Sequence, residues 1–142
     1  MKKSVVILIA VIYIASIALV TFFGLKHNTF FEDKKVSEVH ITNENVQYDM
    51  YGKKYIVIFP DENGVLSYQI TYEVTPDDAT NKAVDFVKDE ENTAATVDEN
   101  GLVVFGEITA PRSVIVYVVA ADGSTARDSI EITAFPFTNP KQ

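Results

Sequence analysis

Residues 5–25, VVILIAVIYIASIALVTFFGL, form an unbroken apolar run directly behind Met1-Lys2-Lys3-Ser4. Wound as an α-helix, a run of this length covers roughly 30 Å, about the thickness of a bilayer's hydrocarbon core. A buried core helix is the weaker alternative, because a run this long without a charge or a polar stripe exceeds what a small domain can cover. A cleavable signal peptide is the rival reading: Lys2 and Lys3 make a basic start, and Ser16-Ile17-Ala18 fits a small-x-small cleavage site. Cleavage there would leave Leu19, Val20, Phe22, Phe23 and Leu25 as an apolar start in water, so the run reads as a retained signal-anchor. Lys2 and Lys3 on one side face Lys26, Lys34 and Lys35 on the other, so the positive-inside rule does not fix the orientation. A short basic head before a long folded part nonetheless points to a plasma-membrane anchor with the C-terminal domain on the extracellular side.

The rest of the chain differs in kind. All twenty Asp and Glu lie beyond His27, with nine of the twelve Lys and Arg, giving that part a formal charge of minus eleven. Such a surface repels nucleic acid and anionic headgroups, which both need a basic patch, so nucleic acid is not an expected partner. Solubility accounts for the charge most simply. The sequence has no Cys, which rules out disulfides and thiolate-ligated metal and leaves the hydrophobic core to hold the fold. The expected layout is a cytoplasmic head and membrane anchor over 1–25, a juxtamembrane linker over 26–35 and one domain over 36–135. A proline-containing tail follows over 136–142. In the linker, Phe30 and Phe31 are expected at the membrane interface or on the base of the domain.

Within the domain, strands are predicted over 36–42, 46–50, 54–59, 66–74, 83–87, 94–97, 102–105, 113–120 and 128–135. Alternation is clearest in Tyr68, Ile70, Tyr72 and Val74 against Gln69, Thr71 and Glu73, one face inward and one in water. Val114–Val119 is apolar on both faces, as in a central strand or one covered outside. Asn63-Gly64, Asn100-Gly101 and Asp122-Gly123 supply the positive φ that tight hairpins require, and Asp-Glu-Asn-Gly occurs at both 61–64 and 98–101. Pro60, Pro76 and Pro111 fall at segment ends, where no ladder is broken. No helical period appears after the anchor. The pattern predicts an all-β, antiparallel β-sandwich behind a single transmembrane helix.

From about residue 36 to 134 the chain resembles a bacterial immunoglobulin-like domain of group 2, the type found in invasin-like surface proteins. The resemblance rests on Thr75-Pro76 closing a strand, then Asp77-Asp78-Ala79-Thr80-Asn81-Lys82, then Ala95-Thr96-Val97-Asp98-Glu99-Asn100-Gly101-Leu102-Val103. Val114–Ala120, Asp122-Gly123 and a last alternating strand complete it. Phe86 stands where the family usually carries Trp. The resemblance implies an Ig-like fold and a non-catalytic role as a spacer, adhesion or protein-interaction module on a bacterial surface.

Chemistry is sparse. His27 and His40 have no Ser or acid at a nucleophile's spacing, and His40 is expected to face solvent from the first strand. No phosphate loop, His-Glu-x-x-His or Gly-x-Ser-x-Gly is present, so no catalytic residue or cofactor is assigned. The weak metal candidates are Asp61, Asp77, Asp78 and Asp98, loop carboxylates of the kind Ca²⁺ prefers, with Glu62 and Glu99 beside them. None matches a calcium loop, and turn residues are the simpler reading; Asp89-Glu90-Glu91 likewise reads as an exposed turn. Tyr48, Tyr51, Tyr55, Tyr68, Tyr72 and Tyr117 have the spacing of half-buried sheet residues more than of a glycan platform. In the tail, Phe135 and Phe137 flank Pro136, a segment expected to cover a sheet edge or dock on a neighbour. Two functions follow. The first is a membrane-anchored surface protein whose domain contacts proteins or cell envelope. The second is an accessory subunit of a membrane complex that uses helix and domain alike.

Overall fold

The computed structural model describes residues 3–27 and 32–136. The chain divides into two units, Met1–Glu32 and Asp33–Gln142. The first unit contains one helix, α1 (Lys3–His27), which extends the expected run at both ends. Its stretch Lys3–Thr21 is long and apolar enough to cross a membrane, and none of it is buried. Ser16 and Thr21 donate their hydroxyls to the carbonyls of Ile12 (2.8 Å) and Ile17 (2.6 Å), so neither polar group is left needing a partner. Phe30, Phe31 and the tail from Phe137 lie outside the described residues.

The second unit is built of strands: β1 (Glu38–Ile41), β2 (Gln47–Tyr48), β3 (Lys54–Ile58), β4 (Ser67–Gln69), β5 (Tyr72–Thr75), β6 (Val84–Lys88), β7 (Ala95–Val97), β8 (Leu102–Phe105), β9 (Arg112–Ala120) and β10 (Arg127–Ala134). They form three sheets, ordered β1-β5, β2-β3-β10-β9-β6 and β4-β8-β7. β9, apolar on both faces in sequence, is indeed flanked on both sides. Val114, Val116 and Val118 are buried, and Ile115 and Tyr117 remain partly exposed on the opposite face.

Two features depart from the expected pattern. The single strand predicted over 66–74 is two, β4 and β5, which pair with different neighbours. The change happens at Ile70: its N–H donates to Gly101 O (3.0 Å), whereas the N–H of Thr71 donates to Asn43 Oδ1 (2.8 Å). Alternation reports which face is buried and is blind to which strand lies alongside, so it could not find this break. The expected all-antiparallel arrangement also needs correction. β3 and β10 run parallel, with Lys54 beside Ile130 and Ile58 beside Ala134. A parallel pair needs a long connection, which residues 59–126 provide.

The inward residues of all three sheets meet in one buried cluster. Val39 and Ile41 of β1, Val103 and Phe105 of β8, the three valines of β9, and Ile130, Ile132 and Ala134 of β10 all belong to it. Each such Val, Ile or Phe contributes about 1.5–3 kcal/mol by leaving water, which lets a domain without cysteines hold together.

Strand direction defines two poles of this unit. At the first, residues 33–36 meet the β9–β10 turn and the loop after β5: Val36 N–H donates to Asp122 Oδ2 (2.6 Å), Thr80 N–H donates to Lys34 O (2.8 Å), and Lys34 N–H donates to the Thr80 hydroxyl oxygen (2.9 Å). Lys34 and Lys35, assigned to the linker by the sequence, are thus hydrogen-bonded into the domain. At the second pole lie the loops after β3, β6 and β8. Phe105 N–H donates to Leu66 O, Gly106 N–H to Ala94 O, and Asn92 Nδ2 to Ser113 O.

Gly101 shows how closely the turns are fitted. Its φ is +80°, and a Cβ placed there would come within 2.6 Å of the Phe86 ring. Gly64, in the matching turn, has φ +78° and open space around it. Gly64→Ala should therefore cost only the left-handed strain, about 1–2 kcal/mol. Gly101→Ala should cost about 1–3 kcal/mol more through overpacking. Urea unfolding of the full-length protein in mild detergent compares the two; equal losses would mean that the Phe86 ring yields freely.

Candidate interaction surface

Three kinds of polar feature stand out on the domain: the turn carboxylates, a buried ion pair, and the loops of the second pole. The turn carboxylates share one geometry. Asp61 Oδ1 accepts the N–H groups of Asn63 and Val65, Asp98 Oδ1 those of Asn100 and Leu102, and Asp49 Oδ1 those of Tyr51 and Lys53. Each is an Asp-x-x-Gly turn in which the ionised carboxylate closes the loop. Asp78 is paired with Lys34 at 2.7 Å, and this hydrogen bond is the main cause that holds its carboxyl below the ordinary value.

The structure does not bring the four metal candidates together. Asp61 lies at the second pole and Asp98 at the first, each engaged by its own turn, while Asp77 and Asp78 sit in the loop after β5. Among the described residues no group of three His, Asp or Glu side chains is placed to hold a metal ion. The tyrosines do not converge either. Tyr48 and Tyr51 belong to the β2–β3 hairpin, whereas Tyr72 packs edge-on against Phe86 at 5.7 Å. Tyr117 lies beneath the Arg127 guanidinium at 6.0 Å, and burial pushes up the Tyr68 phenol.

The ion pair was not anticipated. Among the described residues Lys54 is the one charged side chain in the buried set, and its ammonium contacts Asp128 Oδ2, His40 Nδ1 (3.2 Å) and Ile41 O (3.4 Å). These three partners match the three N–H donors of an ammonium when His40 Nδ1 is the acceptor. Asp128 Oδ2 also accepts the N–H of Ile41 (2.7 Å), and its Oδ1 that of Ser129 (2.8 Å). Burial tends to raise the Asp128 carboxyl, but the hydrogen bonds from Lys54, Ile41 and Ser129 outweigh it and hold the group below its ordinary value. His40 is exposed, as expected, yet it caps this cluster and faces no hydroxyl. The signal was in the register: Lys54 shares a face with Ile56 and Ile58, and Asp128 with Ile130 and Ile132.

Tyr72, Thr75, Asp77 and Lys82 line a cleft of about 600 Å³, and the second pole offers two adjoining depressions with room for a partner. A cleft of about 680 Å³ is lined by Asp89, Glu91, Asn92, Thr93, Glu107, Arg112 and Ser113. An adjoining groove of about 510 Å³ is lined by Pro60, Val65, Leu66, Phe105, Ile108 and Pro136, with Glu107, Ile108 and Thr109 as the shared wall. Beside it Phe59 and Phe135 stack at 5.8 Å. The loops are held in place: Lys88 Nζ donates to Asn92 O (2.7 Å), and Asn92 Oδ1 accepts the N–H of Ala94 (3.1 Å). A preformed acidic cleft beside an apolar groove can hold an extended segment or a loop of another macromolecule, with basic groups toward the cleft and apolar ones toward Phe105.

Two measurements test the electrostatics. Asp128→Asn leaves the Lys54 ammonium without its counter-charge and should cost on the order of 3 kcal/mol. That is the low end for buried pairs, because 19% of the Asp128 side chain still reaches solvent. Lys54→Met/Asp128→Asn should recover most of the loss, since Asn still accepts from Ile41; a double variant no better than the single one would refute uncompensated charge as the cause. The second concerns Asp122, whose carboxyl is held down to about 2, first by the Val36 N–H and then by the Ser124 hydroxyl and N–H. A depressed folded pKa stabilises fully above the unfolded value of 3.8 and is lost as pH falls toward about 2. Asp122→Asn should therefore melt below wild type at neutral pH, and the two melting curves should converge between about pH 4 and pH 2.

No family model matches this sequence and no curated protein matches it, so the reading of function rests on the residues themselves.

Proposed function

We propose that this chain is a membrane-anchored, non-catalytic bacterial surface protein whose single Ig-like β-sandwich contacts proteins or cell envelope. The observation that carries the reading is the pairing of two unlike units: an apolar helix with no buried residue in Lys3–Thr21, and a β-rich unit with its own buried core. A helix of that kind has no protein core to enter, and lipid is the solvent it matches. The C-terminal unit is read as exported to the extracellular side. The sandwich reading is supported by the shared core of the three sheets and by strands that leave one neighbour for another, as β4 and β5 do. The group 2 Ig-like reading is supported by the Pro76–Lys82 and Ala95–Val103 motifs.

Within that reading the second pole is the contact surface. Its cleft and groove lie among loops, and in such domains loops carry recognition while sheets carry stability. The second reading, an accessory subunit that uses the helix as a contact, draws on the small residues Ala10, Ala15, Ser16 and Ala18. Ser16 and Thr21 satisfy their hydroxyls within the helix, which removes one reason for a partner helix and favours the simple anchor.

The chain has no Cys, so one introduced thiol reports location without ambiguity. Glu90→Cys, in the exposed β6–β7 turn, should react with a membrane-impermeant maleimide on intact cells. Labelling that needs permeabilisation would overturn export. The native mass of the labelled protein, extracted in mild detergent, separates the two readings: a lone chain or homo-oligomer fits the surface module, and a defined complex with other membrane proteins fits the subunit.

A further inference from the structure

We infer that the β2–β3 hairpin, through Tyr48, Met50 and Tyr51, rests in the interfacial layer of the membrane, an inference that stands on the anchored reading above. The three Asp-x-x-Gly turns provide an internal comparison. At 61–64 and 98–101 the two central residues are Glu-Asn; at 49–52 they are Met50-Tyr51. The backbone geometry is the same in all three, with Asp49 Oδ1 bound to the N–H groups of Tyr51 and Lys53 at 2.8 Å and Gly52 N–H bound to Asp49 O. The turn itself therefore has no need of apolar residues. Met50 is 87% exposed, Tyr51 81% and Tyr48 59%, so packing within the domain does not call for them either.

Position selects the partner. β3 runs parallel to β10, and the turn that precedes β10 holds the N–H of Val36 through Asp122, so the hairpin tip lies at the pole where the chain enters the domain. The domain unit starts at Asp33, twelve residues past the end of the candidate span Lys3–Thr21, so the chain tethers the domain to the membrane through this pole and not through the opposite one. Tyr is the residue that sits at headgroup level with its ring in the apolar layer and its hydroxyl in water, and Met adapts to an irregular apolar contact. Lys53, beside the tip, extends its ammonium to the phosphates. The hairpin gives the domain a second attachment to the bilayer besides the helix.

The chain has no Trp, which makes a single introduced indole the only one in the protein. Full-length Tyr51→Trp and, as a control at the opposite pole, Glu90→Trp are reconstituted in vesicles of phosphatidylcholine brominated near the glycerol end of its chains. The Tyr51→Trp emission should shift to the blue and lose most of its intensity to bromine, while Glu90→Trp stays unshifted and open to an aqueous quencher. An unshifted Tyr51→Trp signal, in protein that floats with the vesicles, overturns the inference and leaves the anchor intact. A blue shift without bromine quenching also overturns it, because another protein surface then covers the tip. Protein that fails to float removes the anchored reading and this inference together.

Discussion

Asp128 is where the parts of the domain are tied together. One carboxylate oxygen accepts the ammonium of Lys54 from β3 and the backbone N–H of Ile41 from β1, and the residue itself belongs to β10. β1 pairs with β5 and has no backbone pairing to the five-stranded sheet, so Asp128, together with Lys54 and its bonds to His40 Nδ1 and Ile41 O, forms a polar bridge between the two sheets. The bridge also explains why a lysine is tolerated inside. An isolated ammonium in an apolar interior costs several kcal/mol, and here each proton has an acceptor and the charge has its counterpart. Such a pair adds little net stability over an apolar substitute. It does penalise any register in which Lys54 and Asp128 fail to meet, and a one-residue slip of either strand would turn that strand's charged side chain to the other face and leave its partner buried alone.

That constraint was legible in the sequence but easily passed over. Charges that open an alternating strand look like strand ends; only writing Lys54, Ile56 and Ile58 on one face and Asp128, Ile130 and Ile132 on another shows that both point inward. Strand existence was well marked, because β-branched runs bounded by Gly, Asn and Pro leave little alternative. Partners were not, since period-2 alternation says nothing about the neighbour; hence the parallel β3–β10 pair and the division of 66–74 at Ile70 emerge only in three dimensions. The third Asp-x-x-Gly turn, at 49–52, had the same spacing as the two that were recognised. It was missed because Met50 and Tyr51 replace the Glu-Asn that made the others look alike.

The candidate surface was less visible still. The cleft and groove at the second pole are made by loops after β3, β6 and β8, which lie far apart in the chain, and the Asp61–Gly64 motif in the first of them reports a turn and not a surface. Side chains such as Asn92, which bonds both Ser113 O and Ala94 N–H, look like ordinary loop polarity until the fold pairs β6 with β9. The turn geometry therefore separates two roles for polar residues that composition merges: those that close their own loop and those that remain free for a partner.

The same separation changes how the acidic charge should be read. Asp49, Asp61, Asp98 and Asp122 each accept backbone N–H groups, so part of the negative balance is turn architecture and advertises no cationic ligand. Asp89, whose Oδ1 accepts the N–H of Glu91, belongs with them, and what is left over for recognition at the second pole is Glu91 and Glu107, which line the cleft. The first pole instead brings Lys34 and Lys35 against Asp78 and Asp122, which neutralises charge locally where the chain enters the domain. The two ends of one small domain are thus chemically unlike. One has paired charge and an apolar hairpin tip suited to a lipid interface. The other has Glu91 and Glu107 in a cleft beside an apolar groove, a combination suited to a basic, partly apolar partner in water.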